Sequence, residues 1–413
     1  MERAGTRSWL PVAFVIGGNM LFASGLIFQA FLYNFYLQSL GLTAAVMGHA
    51  KAAGTIGSLV TLLPAGRLAD RVGARLTVLV GTLTLTLGLC AGAFVTTPAF
   101  VYATAIIAGS GSGFWRVTIA PLLMRIADPR LRARAFAWNT GLLMGWGGVG
   151  VALAGALSTW LEERWGMGHL SAIRSALLLG ALGSGVSAFL FLALPGSPAV
   201  ARNVGMPEAM QPIIDSPPVM ARVLPRIVLL AVWGIGPALV VPFLNIFLSR
   251  ARGLSIAGTG YVMGASSVGW SVALLASAEI ATWFGVRRTL VAALLGFVPA
   301  ILGMSLVRSL ELTIAFFFLQ GVMAPLADPL SDQWLLGMTP SQRQGAVSSW
   351  RQVSADVGAI IGSMLGGWIL AGGTFDSLFV VAGAIACVGA LGVWASGHAV
   401  SGADEPSREP VAK

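Results

Sequence analysis

Gly66-Arg67-Leu68-Ala69-Asp70-Arg71-Val72-Gly73-Ala74-Arg75 is a short polar island in a long apolar stretch of chain. Apolar runs near 44–65 and 76–96 flank it, each close to the roughly 20 residues that cross about 30 Å of hydrocarbon as a helix. Arginines gathered in so short a connection between two such runs mark the side of a membrane where positive charge is retained. Gly66 lets a helix end approach its neighbour, and Gly73 permits a tight turn. Asp70 is suited to accept hydrogen bonds from a nearby helix N-terminus, which carries partial positive charge.

Composition extends this reading to the whole chain. Of 413 residues, 56% are hydrophobic and only 10% charged, and the mean hydropathy is +0.83. A soluble domain averages about 25% charged residues, so this chain lacks the polar skin that water demands. Its 53 glycines and 20 prolines are tolerated in transmembrane helices, which use Gly for close packing. The net charge of +9 does not indicate nucleic acid, because only Lys51 and Lys413 are lysines and the arginines form no single patch. Cys90 and Cys387 lie in separate apolar runs, and His49, His169 and His398 have no metal-ligand spacing. Neither a disulfide, a metal nor a cofactor is expected. The first apolar stretch, from Leu10 to about Leu40, is too long for a cleavable signal peptide.

Further runs fall near 11–38, 99–124, 135–160 and 171–195, then near 224–248, 256–281, 289–308, 311–337, 345–371 and 375–397. The expected fold is therefore all-α, with about twelve transmembrane helices in two six-helix bundles. The bundles are placed at 1–195 and 224–400, with a Pro-rich polar linker at 196–223 and a tail at 401–413. Arg67, Arg71, Arg75, Arg125, Arg130, Arg132, Arg134, Arg287 and Arg288 fall on one side, against Arg164, Arg174, Arg250, Arg252 and Arg308 on the other. That asymmetry puts both termini in the cytoplasm, in what is expected to be a bacterial inner membrane.

The two halves also repeat. A shift of about 211 or 212 residues lays Phe31-Leu32-Tyr33-Asn34-Phe35-Tyr36-Leu37 on Val241-Pro242-Phe243-Leu244-Asn245-Ile246-Phe247-Leu248, Asn34 falling on Asn245. It also brings Gly73 onto Gly285, Arg75 onto Arg287 and Trp138 onto Trp350. Tandem halves of this kind are typical of secondary transporters.

With its place after the second helix, the loop Gly66–Arg75 resembles the signature loop of the major facilitator superfamily, G-x-L-a-D-R-x-G-r-r/k. The second-half echo follows the eighth helix, although Ala278 and Thr282 stand where Gly66 and Asp70 would fall. The resemblance implies two pseudo-symmetric bundles that rock about a central cavity lined by helices 1, 4, 7 and 10. It further implies a cytoplasmic latch made by Gly66, Asp70, Arg71, Gly73 and Arg75, with Asp128 as a partner. The glycines of helix 5 (Gly141, Gly145, Gly147, Gly148, Gly150, Gly155) and of helix 11 (Gly358, Gly362, Gly366) are read as packing stripes.

Ionisable residues at membrane depth are costly and usually face a cavity or a partner. Arg116 lies nine residues above Arg125, about 13 Å from the cytoplasmic end. The repeat shift makes Asp328 its equivalent, so the two are expected to meet across the cavity in one conformation and part in the other. Asp332 lies one turn below Asp328; Arg351 lies at a depth like that of Arg116, and Asp356 deeper still. Asp328, Asp332, Asp356 and Arg351 are the proton-coupling candidates. Arg116, Trp115, Asn34, Asn245, Asp328 and Asn19 are the substrate-binding candidates. Lys51, near the outer end of helix 2, is expected to snorkel to the interface.

No phosphate loop and no Ser-His-Asp arrangement is legible, so neither an ATP-driven pump nor an enzyme is expected. The expectation is a secondary transporter, acting as a monomer in the bilayer and coupled to protons, that exports a small amphipathic molecule. Uptake or exchange of an organic anion or sugar is the alternative, as is a transporter-like sensor or lipid scramblase.

Overall fold

The computed structural model describes residues 3–194 and 217–396, and among them every regular element is a helix, with no strand. The first half holds α1 (Arg3–Ser39), α2 (Ala44–Val72), α3 (Ala74–Gly92), α4 (Pro98–Ile126), α5 (Arg132–Trp165) and α6 (His169–Leu192). The second holds α7 (Pro217–Val240), α8 (Ile256–Phe284), α9 (Val286–Leu306), α10 (Leu310–Gly337), α11 (Gln344–Gly372) and α12 (Phe375–Ser396). The seventh span continues beyond α7 through a 3-10 turn (Val241–Phe243), a short helix (Leu244–Ile246) and a π turn (Phe247–Ala251). Counted so, the described residues make twelve spans, of which 10 are long and apolar enough to cross a membrane by length and composition alone. Residues 217–223, expected in the linker, already belong to α7. The rest of that linker and the tail 401–413 lie outside the described residues.

The surface is lipid-like. Leu275, Leu306, Phe189 and Trp368 are each more than 70% exposed, whereas Asn19, Thr77, Thr82, Ser184 and Ser187 are buried. Such an inversion suits hydrocarbon, where exposed Leu costs nothing and polar groups must find partners inside the bundle.

The repeat is visible in the backbone. Gly73 ends α2 at φ 90° and Gly285 ends α8 at φ 84°, a region closed to most side chains, so each turn passes directly into the next helix. Arg75 and Arg287 start those next helices, and each donates a hydrogen bond to a carbonyl at the C-terminal end of its own half's last helix. Arg75 reaches Leu192 in α6, and Arg287 reaches Trp394 in α12 at 2.7 Å. A guanidinium there satisfies a carbonyl the helix leaves free and meets the negative end of its dipole.

The halves meet mainly through α5 against α8 and α2 against α11. One end of the molecule carries Arg67–Arg75, Arg125–Arg134 and Arg287–Arg288; it is the arginine-rich end, and the other the arginine-poor end. At the arginine-poor end one buried cluster runs from Phe31, Tyr36 and Leu37 into Phe243, Leu244 and Phe247 of the other half. Towards the arginine-rich end of the first half, the cluster around Val12, Val15, Leu122 and Phe191 contains no described residue of the second half.

Candidate functional site

Pro242 breaks the seventh span because it has no N–H to donate and its ring clashes with the carbonyl one turn back. The groups released by the break are satisfied locally and from the other half. Asn245 Oδ1 accepts from the Ile246 N–H at 2.9 Å, and Asn34 Nδ2 donates to the Pro242 carbonyl. Asn245 Nδ2 in turn donates to the Phe31 carbonyl at 2.6 Å, and Asn34 Nδ2 lies 3.2 Å from Asn245 Oδ1. The two asparagines related by the repeat thus form a reciprocal clamp between α1 and the seventh span, at the arginine-poor end.

Glycines extend that seal. A Cβ on Gly48 of α2 would stand 2.2 Å from the Ser363 carbonyl oxygen of α11, and one on Gly367 would stand 2.6 Å from the Ala44 oxygen. In α5 and α8, Gly148 and Gly264 face each other at comparable closeness, and Gly155 would meet the Ile256 oxygen at 2.9 Å. Towards the arginine-rich end of α5 the same stripe is unfilled: Gly141, Gly145 and Gly147 have nothing within 4 Å. The glycines of α11 serve a different contact, Gly358, Gly362 and Gly366 lying against α7 of their own half.

Between the sealed end and the open one lies a cavity of about 470 Å³, lined by the seventh span, α8, α10 and α11 and by one first-half residue, Lys51. Its walls are largely apolar and aromatic (Trp233, Trp270, Phe317), with Ser266, Gln320, Asp328, Ser331 and Arg351 as polar points. A volume of this size accommodates a small organic molecule.

The membrane charges are paired unequally. Arg351 binds Asp332 with two nitrogens, Nε to Oδ1 and Nη2 to Oδ2, and reaches Asp328 Oδ1 with Nη1 at 3.2 Å. The Asp328 side chain remains 75% exposed, against 35% for Asp332 and 12% for Arg351. One guanidinium therefore serves two carboxylates, one of them open to the cavity. Arg116 of α4 crosses between the halves to Asp356 of α11, both terminal nitrogens standing 3.3 Å from Oδ2, and Gln352 donates to the other oxygen of that carboxylate. Lys51 has no hydrogen-bond or ion-pair partner for its ammonium among the described residues.

Several expected site residues are elsewhere. Arg116 pairs with Asp356 and is parted from its repeat equivalent Asp328 in this conformation, one of the two arrangements expected of that pair. Asn19 is buried and joins three helices of the first half: it donates to Asn139 Oδ1 at 2.8 Å and accepts from Trp115 Nε1 at 2.6 Å. Trp115 stacks on Phe22 with ring centroids 5.2 Å apart. Of the substrate-binding candidates, Asp328 alone lines the cavity. Lys51 points into the cavity and does not snorkel to the interface. Gly66 makes no close approach here, since a Cβ there would meet only Val117 at 4.0 Å. Asp128 accepts from the Arg130 N–H within its own loop, and Asp70 and Arg71 are exposed. Lys51 was the cavity residue that sequence reasoning missed. The available signal was that a lysine about 10 Å inside a helix end is deep for snorkelling.

Comparison with known proteins bears on the architecture. The profile described as Major Facilitator Superfamily matches residues 13–308 and 227–411. The uncharacterised MFS-type transporter YqjV of Bacillus subtilis (strain 168) is 29% identical over 129 residues, 30% of this chain and 31% of that one. The match thus spans about a third of that relative. A mutant of the nucleoside transporter NupG superposes with a TM-score of 0.79 at 14% identity, covering 94% of this chain and 99% of the other. A bacterial homologue of the human lysosomal transporter Spinster, inward-facing and occupied, superposes with a TM-score of 0.70 at 14% identity, over 95% and 97% of the two chains. At such identities the likeness is one of fold.

Proposed function

The chain belongs to the major facilitator superfamily, an integral multi-pass membrane transporter family, and from that premise we propose that it is a proton-coupled secondary transporter for a small amphipathic molecule. It works by alternating access, one half rocking on the other, as a monomer and without catalysing a covalent step. The arginine-rich end faces the cytoplasm, in keeping with retention of positive charge on that side, so the conformation described is open inwards. The apolar, aromatic cavity fits an amphipathic cargo and favours export from the cytoplasmic side.

The observation that carries the coupling is the triad of Asp328, Arg351 and Asp332, in which two carboxylates share one guanidinium. A surplus carboxylate at membrane depth is costly in its charged form. Asp328, the exposed member, is where a proton from cavity water relieves that cost. The other charges nearby are already engaged (Arg116 with Asp356) or of opposite sign (Lys51). The Asn34–Asn245 clamp acts as the outer gate, and Gly66, Asp70, Arg71 and Gly73 form an inner latch that is open in this state. Asn19 and Trp115 tie α1, α4 and α5 together within the first half.

Purified protein in liposomes tests the coupling. A pH gradient should drive accumulation of a transported probe. Asp328→Asn should cut that accumulation by about tenfold or more, the loss expected when an essential proton carrier is removed, while downhill exchange continues. Accumulation indifferent to the gradient, and unchanged in Asp328→Asn, would remove proton coupling from the mechanism.

A further inference from the structure

We infer that the cavity binds a monovalent organic anion with an aromatic or otherwise apolar body, its carboxylate held by Lys51. This rests on reading the cavity as the transport pathway.

Lys51 lies seven residues inside α2 from Ala44, about 10 Å below the arginine-poor end. One turn above it, Gly48 is pressed against the Ser363 carbonyl and Gly367 of α11, which bars the ammonium from water on that side. Below it the cavity opens, and Ser363 and Lys51 are both part of its lining. Lys51 therefore forms the roof of a chamber whose walls are Trp233, Trp270 and Phe317.

Among the described residues no group completes this ammonium. Asp356 is bonded to Arg116 and Gln352, and no carboxylate among the described residues comes within ion-pair distance of Lys51. Asp328 and Asp332 are taken by Arg351 at the other end of the chamber. Asp328 lies about 27 Å from the arginine-poor end of α10, so about 17 Å deeper than Lys51 along the helices. The three cations and three carboxylates sum to zero, yet the positive member without a partner is at the roof.

An unpaired ammonium exposed to a largely apolar cavity favours a ligand that brings the missing charge, because a charge-assisted hydrogen bond is stronger than a neutral one. A neutral ligand leaves it unpaired, and a cation is repelled. The apolar walls require the remainder of the ligand to be hydrophobic, and aromatic rings are the natural counterpart of two tryptophans and a phenylalanine. An anion this deep can be held by one cation without bidentate geometry, which suits the point charge of a lysine.

Three matched probes test this on the full-length protein in detergent: 2-naphthoate, neutral 2-naphthamide and 2-naphthylmethylammonium, with binding followed by calorimetry. Naphthoate should bind about tenfold or more tighter than the amide, the ratio a charge-assisted contact gives, and the ammonium should bind weakest. Lys51→Gln should lower naphthoate to the affinity of the amide, while Lys51→Arg, which keeps the charge, should retain most of the preference. Equal binding of the three, tighter binding of the ammonium, no binding of naphthoate, or an undiminished preference in Lys51→Gln overturns the assignment. Exchange of the same probes across liposomes separates this from the transport reading. If naphthamide exchanges freely without any anion preference, the site assignment is lost and the transporter stands. If naphthoate binds through Lys51 but no probe crosses, the site stands and the transport reading falls.

Discussion

The two ends of the molecule are built from the same kinds of helix yet differ in how the halves touch. At the arginine-poor end the contact is backbone to backbone: Gly48 on Ser363 and Gly367, Gly148 on Gly264, Gly155 on Ile256, with the Asn34–Asn245 clamp among them. At the other end the α5 stripe continues through Gly145 and Gly141 and touches nothing within 4 Å. Small residues let helices approach closely, and in lipid that approach is itself a main source of association. A surface of glycines left uncovered is a contact surface not in use. On the alternating-access reading proposed above, one stripe serves both ends in turn, its halves closed in opposite conformations.

The largest effect should come from filling the closed seam. In Gly48→Val the new Cβ stands 2.2 Å from the Ser363 oxygen and 3.0 Å from the Gly367 Cα, and both are backbone, which has little room to yield. Overpacking of this kind costs about 1–3 kcal/mol, which converts to about fivefold to a hundredfold against the state that contains the contact. Transport in liposomes should fall by a factor in that range, with a lowered melting temperature. A variant that transports like the parent would show that this seam never has to close.

A smaller and more selective effect is expected from Gly145→Leu. Here the present conformation has space, and replacing glycine within a helix favours folding by up to about 1 kcal/mol. The melting temperature should therefore hold or rise slightly while transport drops about tenfold, because the opposite closure is obstructed by overpacking. If both properties stay at parental values, Gly145 faces lipid or water throughout and the stripe does not switch.

The sequence made the helices, their number and the repeat easy to read, since each rests on run length or on a recurring shift. The same shift that pairs Gly73 with Gly285 also pairs Gly41 with Gly253, whose φ angles of 74° and 72° agree as closely. What could not be read was azimuth. A helix that is apolar on every face offers no polar stripe to fix which side it presents, so depth was legible and direction was not. Arg116 and Asp328 lie at matching depths, but Asp356 is the carboxylate on the side that Arg116 faces. Lys51 illustrates the same limit, since its depth spoke against the interface but nothing local encoded which neighbours its side of α2 would face. Arg75 was legible as a loop cation, whereas its target, the Leu192 carbonyl, depends on how α6 returns to α3, which no local pattern encodes.

The smallest effect is also the sharpest probe of the two ends. Asn34 and Asn245 are suited to a double-mutant cycle, read by equilibrium unfolding in mixed micelles. Hydrogen bonds between transmembrane helices are worth about 0.6 kcal/mol on average and about 1.7 at most, so the coupling energy should fall in that range. The single changes should be unequal. Asn34→Ala removes a donor to the Pro242 carbonyl, whereas Asn245→Ala also orphans the Ile246 N–H that the proline break had released, so it should cost more. Repeating the cycle in Gly48→Val then asks whether the clamp belongs to the closed seam as a unit. When that seam is forced apart the asparagines should separate and their coupling should fall towards zero. A coupling that persists undiminished would mean that the clamp and the glycine seam open independently, and the arginine-poor end would then be two gates.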